Sequence, residues 1–71
     1  MNTLKPLTER EQQVLHGIYE GLTNKEIGTQ VGVSESSVKA TVQQLFRKNC
    51  VRTRAQLVRV ALEGSLFGQR R

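Results

Sequence analysis

Apolar residues recur three and four positions apart in four stretches of the chain, the spacing that gives a helix one apolar face. The predicted helices span about 9–21, 24–31, 35–48 and 54–63. No alternating strand pattern and no internal repeat interrupts them. The pattern predicts an all-α fold of four helices around one small core.

The apolar stripes also predict which side chains face that core. The predicted inward residues are Val14, Leu15, Ile18 and Leu22; Ile27 and Val31; Val38, Val42, Leu45 and Phe46; and Ala55, Val58, Ala61 and Leu62. In the fourth helix this choice leaves Leu57 and Val60 predicted to be exposed. Exposed apolar residues on a short helix indicate a weak dimer surface.

Helix-capping signals precede each stripe. A Thr followed three residues later by Glu or Gln forms a capping box, and the pairs are Thr8–Glu11, Thr23–Glu26 and Thr53–Gln56. Ser34 caps the third predicted helix, and Gly32 provides the left-handed turn before it. A short helix, a turn with glycine and a longer basic helix form a helix-turn-helix pattern. The second helix of such a pair enters the DNA major groove.

The charge is divided unevenly along the chain. Residues 39–71 carry eight basic residues and one acidic residue, whereas residues 1–38 carry three basic and five acidic residues. A basic half that begins inside the third predicted helix indicates a polyanionic partner. The alternative is a basic face that is merely solvated.

Other functional classes find little support in the composition. One cysteine and one histidine provide neither a metal site nor a catalytic triad, and there is no glycine-rich phosphate loop. We therefore expect no enzyme, no cofactor, no metal and no small-molecule substrate. The chain has no apolar run long enough for a membrane span and no secretory signal, so we expect a cytoplasmic protein that does not bind a membrane.

The outward stripe of the third predicted helix carries residue types that contact DNA: Ser36, Lys39, Ala40, Gln43 and Arg47. Lys39 can donate to guanine, Gln43 can pair with adenine, and Ala40 can contact a thymine methyl group. Ser36 and Ser37 lie near the helix N-terminus, where they can bind phosphate.

Four segments, LTEREQQVL, EGLTNKEIG, VGVSESSVKATV and VRTRAQLV, together resemble the LuxR/GerE-type DNA-binding domain over residues 7–61. The resemblance implies a domain at 7–63, with a lead-in at 1–6 and a tail at 64–71. It implies base reading by Lys39, Ala40 and Gln43. It implies backbone contacts around Thr23, Lys25, Ser37 and Arg47, and a fourth helix that mediates dimerisation, to which we assign Leu57 and Val60.

The chain departs from this family's usual residues at several positions. Gly28 stands where the family usually has Ala, and Thr41 where it often has His. Asn49 and Cys50 replace a Leu-Gly pair. Asn49 is expected either to bury its amide or to end the helix in the left-handed conformation, with Cys50 half-buried.

The resulting hypothesis is a sequence-specific transcription regulator, or the DNA-binding domain of a two-component response regulator. Its expected partners are duplex DNA, a second copy on DNA and RNA polymerase. One alternative is promoter recognition of the kind performed by region 4 of sigma factors. Another is a protein-interaction module that pairs with a full-length regulator. In the tail, Leu66 or Phe67 is expected to fray or to fold back onto the core.

Overall fold

The computed structural model describes residues 7–65, in which all regular structure is helical. The helices are α1 (Glu9–Tyr19), α2 (Asn24–Val31), α3 (Glu35–Asn49) and α4 (Arg54–Val60), and α4 continues as a π-helical turn, Ala61–Ser65. The predicted four-helix fold is confirmed. The predicted lead-in at 1–6 and the predicted behaviour of Leu66 and Phe67 lie outside the described residues.

The predicted caps form through local hydrogen bonds. At α2, the Thr23 hydroxyl accepts from the Glu26 amide at 3.1 Å, and the Thr23 amide donates to the Glu26 carboxylate at 2.8 Å. The same reciprocal pair forms at the starts of α1 and α4. Ser34 accepts from the Ser37 amide at 3.1 Å. Each bond satisfies a backbone donor that would otherwise lack a helical partner.

All four helices contribute to one core, whose fully buried apolar residues are Val14, Leu15, Ile18, Ile27, Val38, Val42, Leu45, Leu57 and Ala61. Three residues predicted to be buried, Leu22, Val31 and Phe46, are only half-buried and pack against the edge of this cluster. The core holds α1 across both α2 and α3. It thereby fixes the angle between the two helices of the helix-turn-helix pair.

The turn between α2 and α3 is tight. Gly32 adopts φ +89°, and the amides of Gly32 and Val33 both donate to the Gly28 carbonyl, at 2.7 and 2.9 Å. A Cβ added to Gly28 would lie 2.7 Å from the Val33 carbonyl oxygen. The alanine expected from the family resemblance therefore fits here only if the turn backbone moves.

Two predicted helix ends were wrong at the level of single residues. Helix α1 ends at Tyr19 rather than Gly21, because Gly21 takes φ +82° and leaves the helix. In α4 the helical path does not stop at Gly64, since the π-helical turn extends to Ser65. Glycine disfavours a helix through its backbone entropy but does not forbid one.

The end of α3 matches one of the two alternatives expected for Asn49, which is the last helical residue and is buried. Its side-chain amide donates to the Leu45 carbonyl at 2.9 Å, whereas its buried Oδ1 has no hydrogen-bond partner. Cys50 takes the left-handed conformation instead, at φ +55°. Its side chain is exposed, not half-buried as predicted.

The inward face of α4 is only partly the predicted one. Ala61 is buried and Val58 packs half-buried against the core, as predicted, but Ala55 and Leu62 are exposed. Leu57 is fully buried in the core instead, and Val60 is half-buried. The prediction that Leu57 lies at a dimer surface is therefore wrong. A fully buried side chain cannot contact a second copy.

A partly buried ion pair links the start of α1 to the end of α3. Lys48 Nζ donates to Glu11 Oε1 at 2.7 Å, and the same oxygen accepts from the Thr8 amide at 2.9 Å. Burial raises the pKa of Glu11, but Lys48 and Thr8 outweigh it, so the pKa lies below its usual 4.5. This contribution to stability is full above the unfolded pKa and is lost as pH falls through the lower folded pKa.

We expect Lys48→Met to reduce the free energy of unfolding at pH 7 by about 1–3 kcal/mol, because a buried carboxylate loses one partner. The pKa of Glu11 should rise relative to the unmodified chain, so less stability should be lost below pH 4.5. Denaturant unfolding between neutral and acidic pH measures both effects. Arg59→Met, which breaks the exposed Arg59–Glu63 pair, is the control. An unchanged acid dependence in Lys48→Met would contradict the assignment.

Candidate nucleic-acid interface

The outward face of α3 presents all five residues predicted for it. Ser36, Lys39, Ala40, Gln43 and Arg47 are exposed, while Val38, Val42 and Leu45 on the opposite face are buried. Ala40 lies between Lys39 and Gln43, so the stripe offers a cation, a methyl group and an amide within one helical turn. These are the groups that distinguish bases in the major groove.

The hydroxyl groups at the start of α3 differ in their partners. Ser37 accepts a hydrogen bond from the Ser34 hydroxyl at 3.1 Å, so its own hydroxyl hydrogen remains available to a phosphate. Ser36 is exposed beside it. The N-terminus of a helix favours an anion through its free amides and its dipole. Both serines are exposed near the start of α3, and their contact with the DNA backbone stays a prediction.

The start of α2 is more restricted than expected. The Thr23 and Glu26 amides are used within the capping box. The amides of Asn24 and Lys25 lie between them, next to the exposed Lys25 side chain. Thr23 therefore has only its hydroxyl hydrogen to donate to a phosphate, whereas Lys25 offers its charge.

Several basic side chains in residues 39–71 have partners within the chain. Lys48 binds Glu11, and Arg59 binds Glu63 at 3.2 Å. Arg54 donates to the Asn24 side chain at 2.6 Å and to the Leu22 carbonyl at 2.8 Å. Arg54, the first residue of α4, thus bonds both the loop before α2 and the first residue of α2. Its position in the sequence did not predict this role.

Thr41 occupies the position where the family often has His. Its hydroxyl donates to the Ser37 carbonyl at 3.0 Å, within α3. Within residues 7–65, no group of His, Cys, Asp and Glu side chains could hold a metal ion. None of the helices in that range is long and apolar enough to cross a membrane.

Comparison with known protein families shows which family this helix-turn-helix domain belongs to. The family model of bacterial regulatory proteins of the luxR type, GerE, matches residues 5–61. The chain belongs to this family. The predicted LuxR/GerE-type helix-turn-helix domain is confirmed, and with it a DNA-binding domain of a transcription regulator.

Individual relatives carry the same domain within longer chains. A probable transcriptional regulator, ycf29, of Cyanophora paradoxa is 46% identical over 67 residues, which are 93% of this chain and 32% of the relative. The nitrate/nitrite response regulator NarP of Escherichia coli is 48% identical over 48 residues, 68% of this chain and 22% of the relative. Response regulator Rre1 of Synechocystis is 44% identical over 59 residues, 83% of this chain and 26% of the relative. The LuxR-type chain thus spans less than a third of these relatives.

Proposed function

We propose that this LuxR-type domain reads duplex DNA by placing α3 in the major groove, with Lys39, Ala40 and Gln43 at the base edges. The observation that supports this most directly is the division of α3 into a buried face and an exposed face that carries these residues. Lys39 would donate to guanine, Gln43 would pair with adenine, and Ala40 would contact a thymine methyl group.

The backbone contacts in this proposal lie on either side of the reading stripe. Thr23 and Lys25 at the start of α2, with Ser36 and Ser37 at the start of α3, would bind phosphates of one strand. Arg47 would bind a phosphate near the other end of α3. Phosphate contacts fix register and orientation without reading sequence.

One binding experiment distinguishes the residues that read bases from those that bind the DNA backbone. Preferred sites are first selected from a random duplex pool, and affinities are then measured for the selected site and for single base-pair variants of it. Lys39→Ala should cost about 1–3 kcal/mol at the selected site and flatten discrimination at one position. Lys25→Ala should weaken all sites by a similar factor.

Gln43→Ala should likewise cost about 1–3 kcal/mol at the selected site. Its matched control is Gln30→Ala, because Gln30 lines a separate surface cavity with α1 residues. Gln30→Ala should bind as the unmodified chain does. If Lys39→Ala and Lys25→Ala gave the same profile across the site variants, the assignment of base and backbone roles would be wrong.

We further propose that two copies bind neighbouring half-sites and meet through the last helix. Leu62 is the exposed large apolar residue there, and Val58 and Val60 are half-buried beside it. Val60 is kept from the predicted pair, whereas Leu57 is buried and is replaced by Val58 and Leu62. One short helix buries too little area for a stable free dimer, so DNA would supply the missing affinity by holding two copies together.

Other partners follow from the same proposal. A duplex-DNA partner places the chain in the compartment that holds the genome, which is the cytoplasm in a bacterium. Contact with RNA polymerase stays a prediction of the family resemblance. In a longer protein that contained this domain, the other domains would add their own functions to DNA binding.

A further inference from the structure

We propose that Arg52, in the turn between α3 and α4, binds a DNA phosphate together with Arg47. The phosphate would belong to the strand that passes the C-terminal end of α3. The proposal rests on the proposed function, since it requires α3 to lie in the major groove. It adds a contact residue that neither the sequence motif nor the reading stripe identifies.

The basic side chains of residues 39–71 differ in whether they have a partner within the chain. Lys48, Arg54 and Arg59 have partners within the chain. Among the described basic residues of this half, Lys39, Arg47 and Arg52 are exposed and their side chains have no hydrogen bond or ion pair. Lys39 and Arg47 already have assigned roles. Arg52 is the remaining cation available to a partner.

Arg47 and Arg52 share one surface feature. They line an open cavity of about 520 Å³ whose other lining residues are Gln43, Phe46, Cys50 and Val51. Phe46 and Val51 are half-buried and form apolar parts of its wall. Arginine can lay its aliphatic stem along such a surface and keep its guanidinium group in water. Gln43 connects this cavity to the base-reading stripe.

Helix α3 is longer than the major groove is wide. Its 15 residues extend about 22 Å at 1.5 Å per residue, whereas the major groove is about 12 Å wide. A helix of this length that crosses the groove must emerge beside the sugar–phosphate backbone. Gln43 reads bases in the proposed function, and Arg47 lies one turn beyond it. The C-terminal end of α3 therefore lies where the strand passes.

Electrostatics at the C-terminal end of α3 favour a pair of cations there. The C-terminal end of a helix carries a partial negative charge, which repels a phosphate. A strand can pass this end closely only if cations compensate for that charge. The turn itself is held by the Arg52 amide, which donates to the Gln56 side chain at 2.9 Å. This bond places Arg52 at a defined point beyond the helix end, and an arginine fork matches the oxygens of a phosphate.

The test uses duplexes of the selected site in which single phosphates are replaced, one at a time, by neutral methylphosphonates. On unmodified duplex, Arg52→Ala should lower affinity about tenfold, with a similar factor for every sequence. Neutralising one particular DNA phosphate, near the C-terminal end of α3, should markedly lower the affinity of the unmodified chain. The same neutralisation should lower the affinity of Arg52→Ala or Arg47→Ala only slightly.

Arg59→Ala is the matched control, because it removes the same charge from a side chain paired with Glu63. It should leave single-site affinity and the methylphosphonate profile unchanged. Arg52→Lys should recover part of the lost affinity, and thermal melting checks that each variant is folded. The Arg52 amide and its bond to Gln56 persist in all of these variants.

The outcomes separate this inference from the proposed function. If the unmodified chain selects no duplex sequence, the proposed function fails, and this inference fails with it. If the chain binds its site but Arg52→Ala binds as Arg59→Ala does, only this inference is overturned. It is also overturned if Arg52→Ala binds more weakly, but each neutralised phosphate lowers its affinity by the same factor as in the unmodified chain.

Discussion

Leu57→Ala should lower the free energy of unfolding by about 2–5 kcal/mol, a large fraction of the stability of so small a domain. Leu57 is 0% exposed and is the large apolar residue that α4 contributes to the core. Its truncation removes apolar contacts and leaves a cavity between α4 and the helices beneath it. Denaturant unfolding followed by circular dichroism measures the change.

Leu62→Ala is the control, since it makes the same chemical change at a residue that is 61% exposed. Its free energy of unfolding should stay within about 0.5 kcal/mol of the unmodified chain. Cooperative binding to a double half-site should fall, because Leu62 belongs to the proposed contact between copies. Equal stability of the two variants would mean that α4 presents its other face to the core. Full cooperativity in Leu62→Ala would place the dimer contact elsewhere.

The helix starts could be predicted because the interactions that define them are local. Each capping box joins residues three positions apart, so Thr23 and Glu26 are enough to locate the start of α2. The outward stripe of α3 could be predicted for a similar reason. Val38, Val42 and Leu45 leave only one face of that helix for polar residues.

The orientation of α4 could not be predicted from its sequence. Apolar residues occupy Ala55, Leu57, Val58, Val60, Ala61 and Leu62. In a helix of seven residues with a π-helical extension, these positions surround the axis and define more than one stripe. Packing against the other helices selects Leu57 and Ala61, and that choice depends on the complete core.

The roles of the basic residues also depend on distant parts of the chain. Lys48 pairs with Glu11, 37 positions earlier, and Arg54 bonds Asn24, 30 positions earlier. The charge count alone gave all eight basic residues of the C-terminal half equal weight. Among the basic residues that the structure describes in this half, Lys48 and Arg54 join distant segments and Arg59 pairs with Glu63, whereas the exposed side chains of Lys39, Arg47 and Arg52 have no such partner.

The salt dependence of DNA binding should be steep because the interface offers few base contacts and several cations. If Lys25, Arg47 and Arg52 bind phosphates and Lys39 lies in the groove, as proposed, about three or four counterions should be released per domain. The logarithm of affinity should then fall with the logarithm of salt concentration with a slope of about −3, and affinity should drop about 40- to 150-fold between about 50 and 200 mM salt. Fluorescence anisotropy of a labelled duplex at a series of salt concentrations measures the slope.

Two charge variants distinguish a localised interface from general attraction by a basic chain. Arg47→Gln removes an exposed cation from the proposed interface, so it should make the slope shallower by about one unit. Arg59→Gln changes the net charge by the same amount but removes a cation paired with Glu63 on α4. It should leave the slope unchanged. Equal slopes for these two variants would indicate that net charge alone attracts DNA. An affinity independent of salt would instead favour a protein-interaction module.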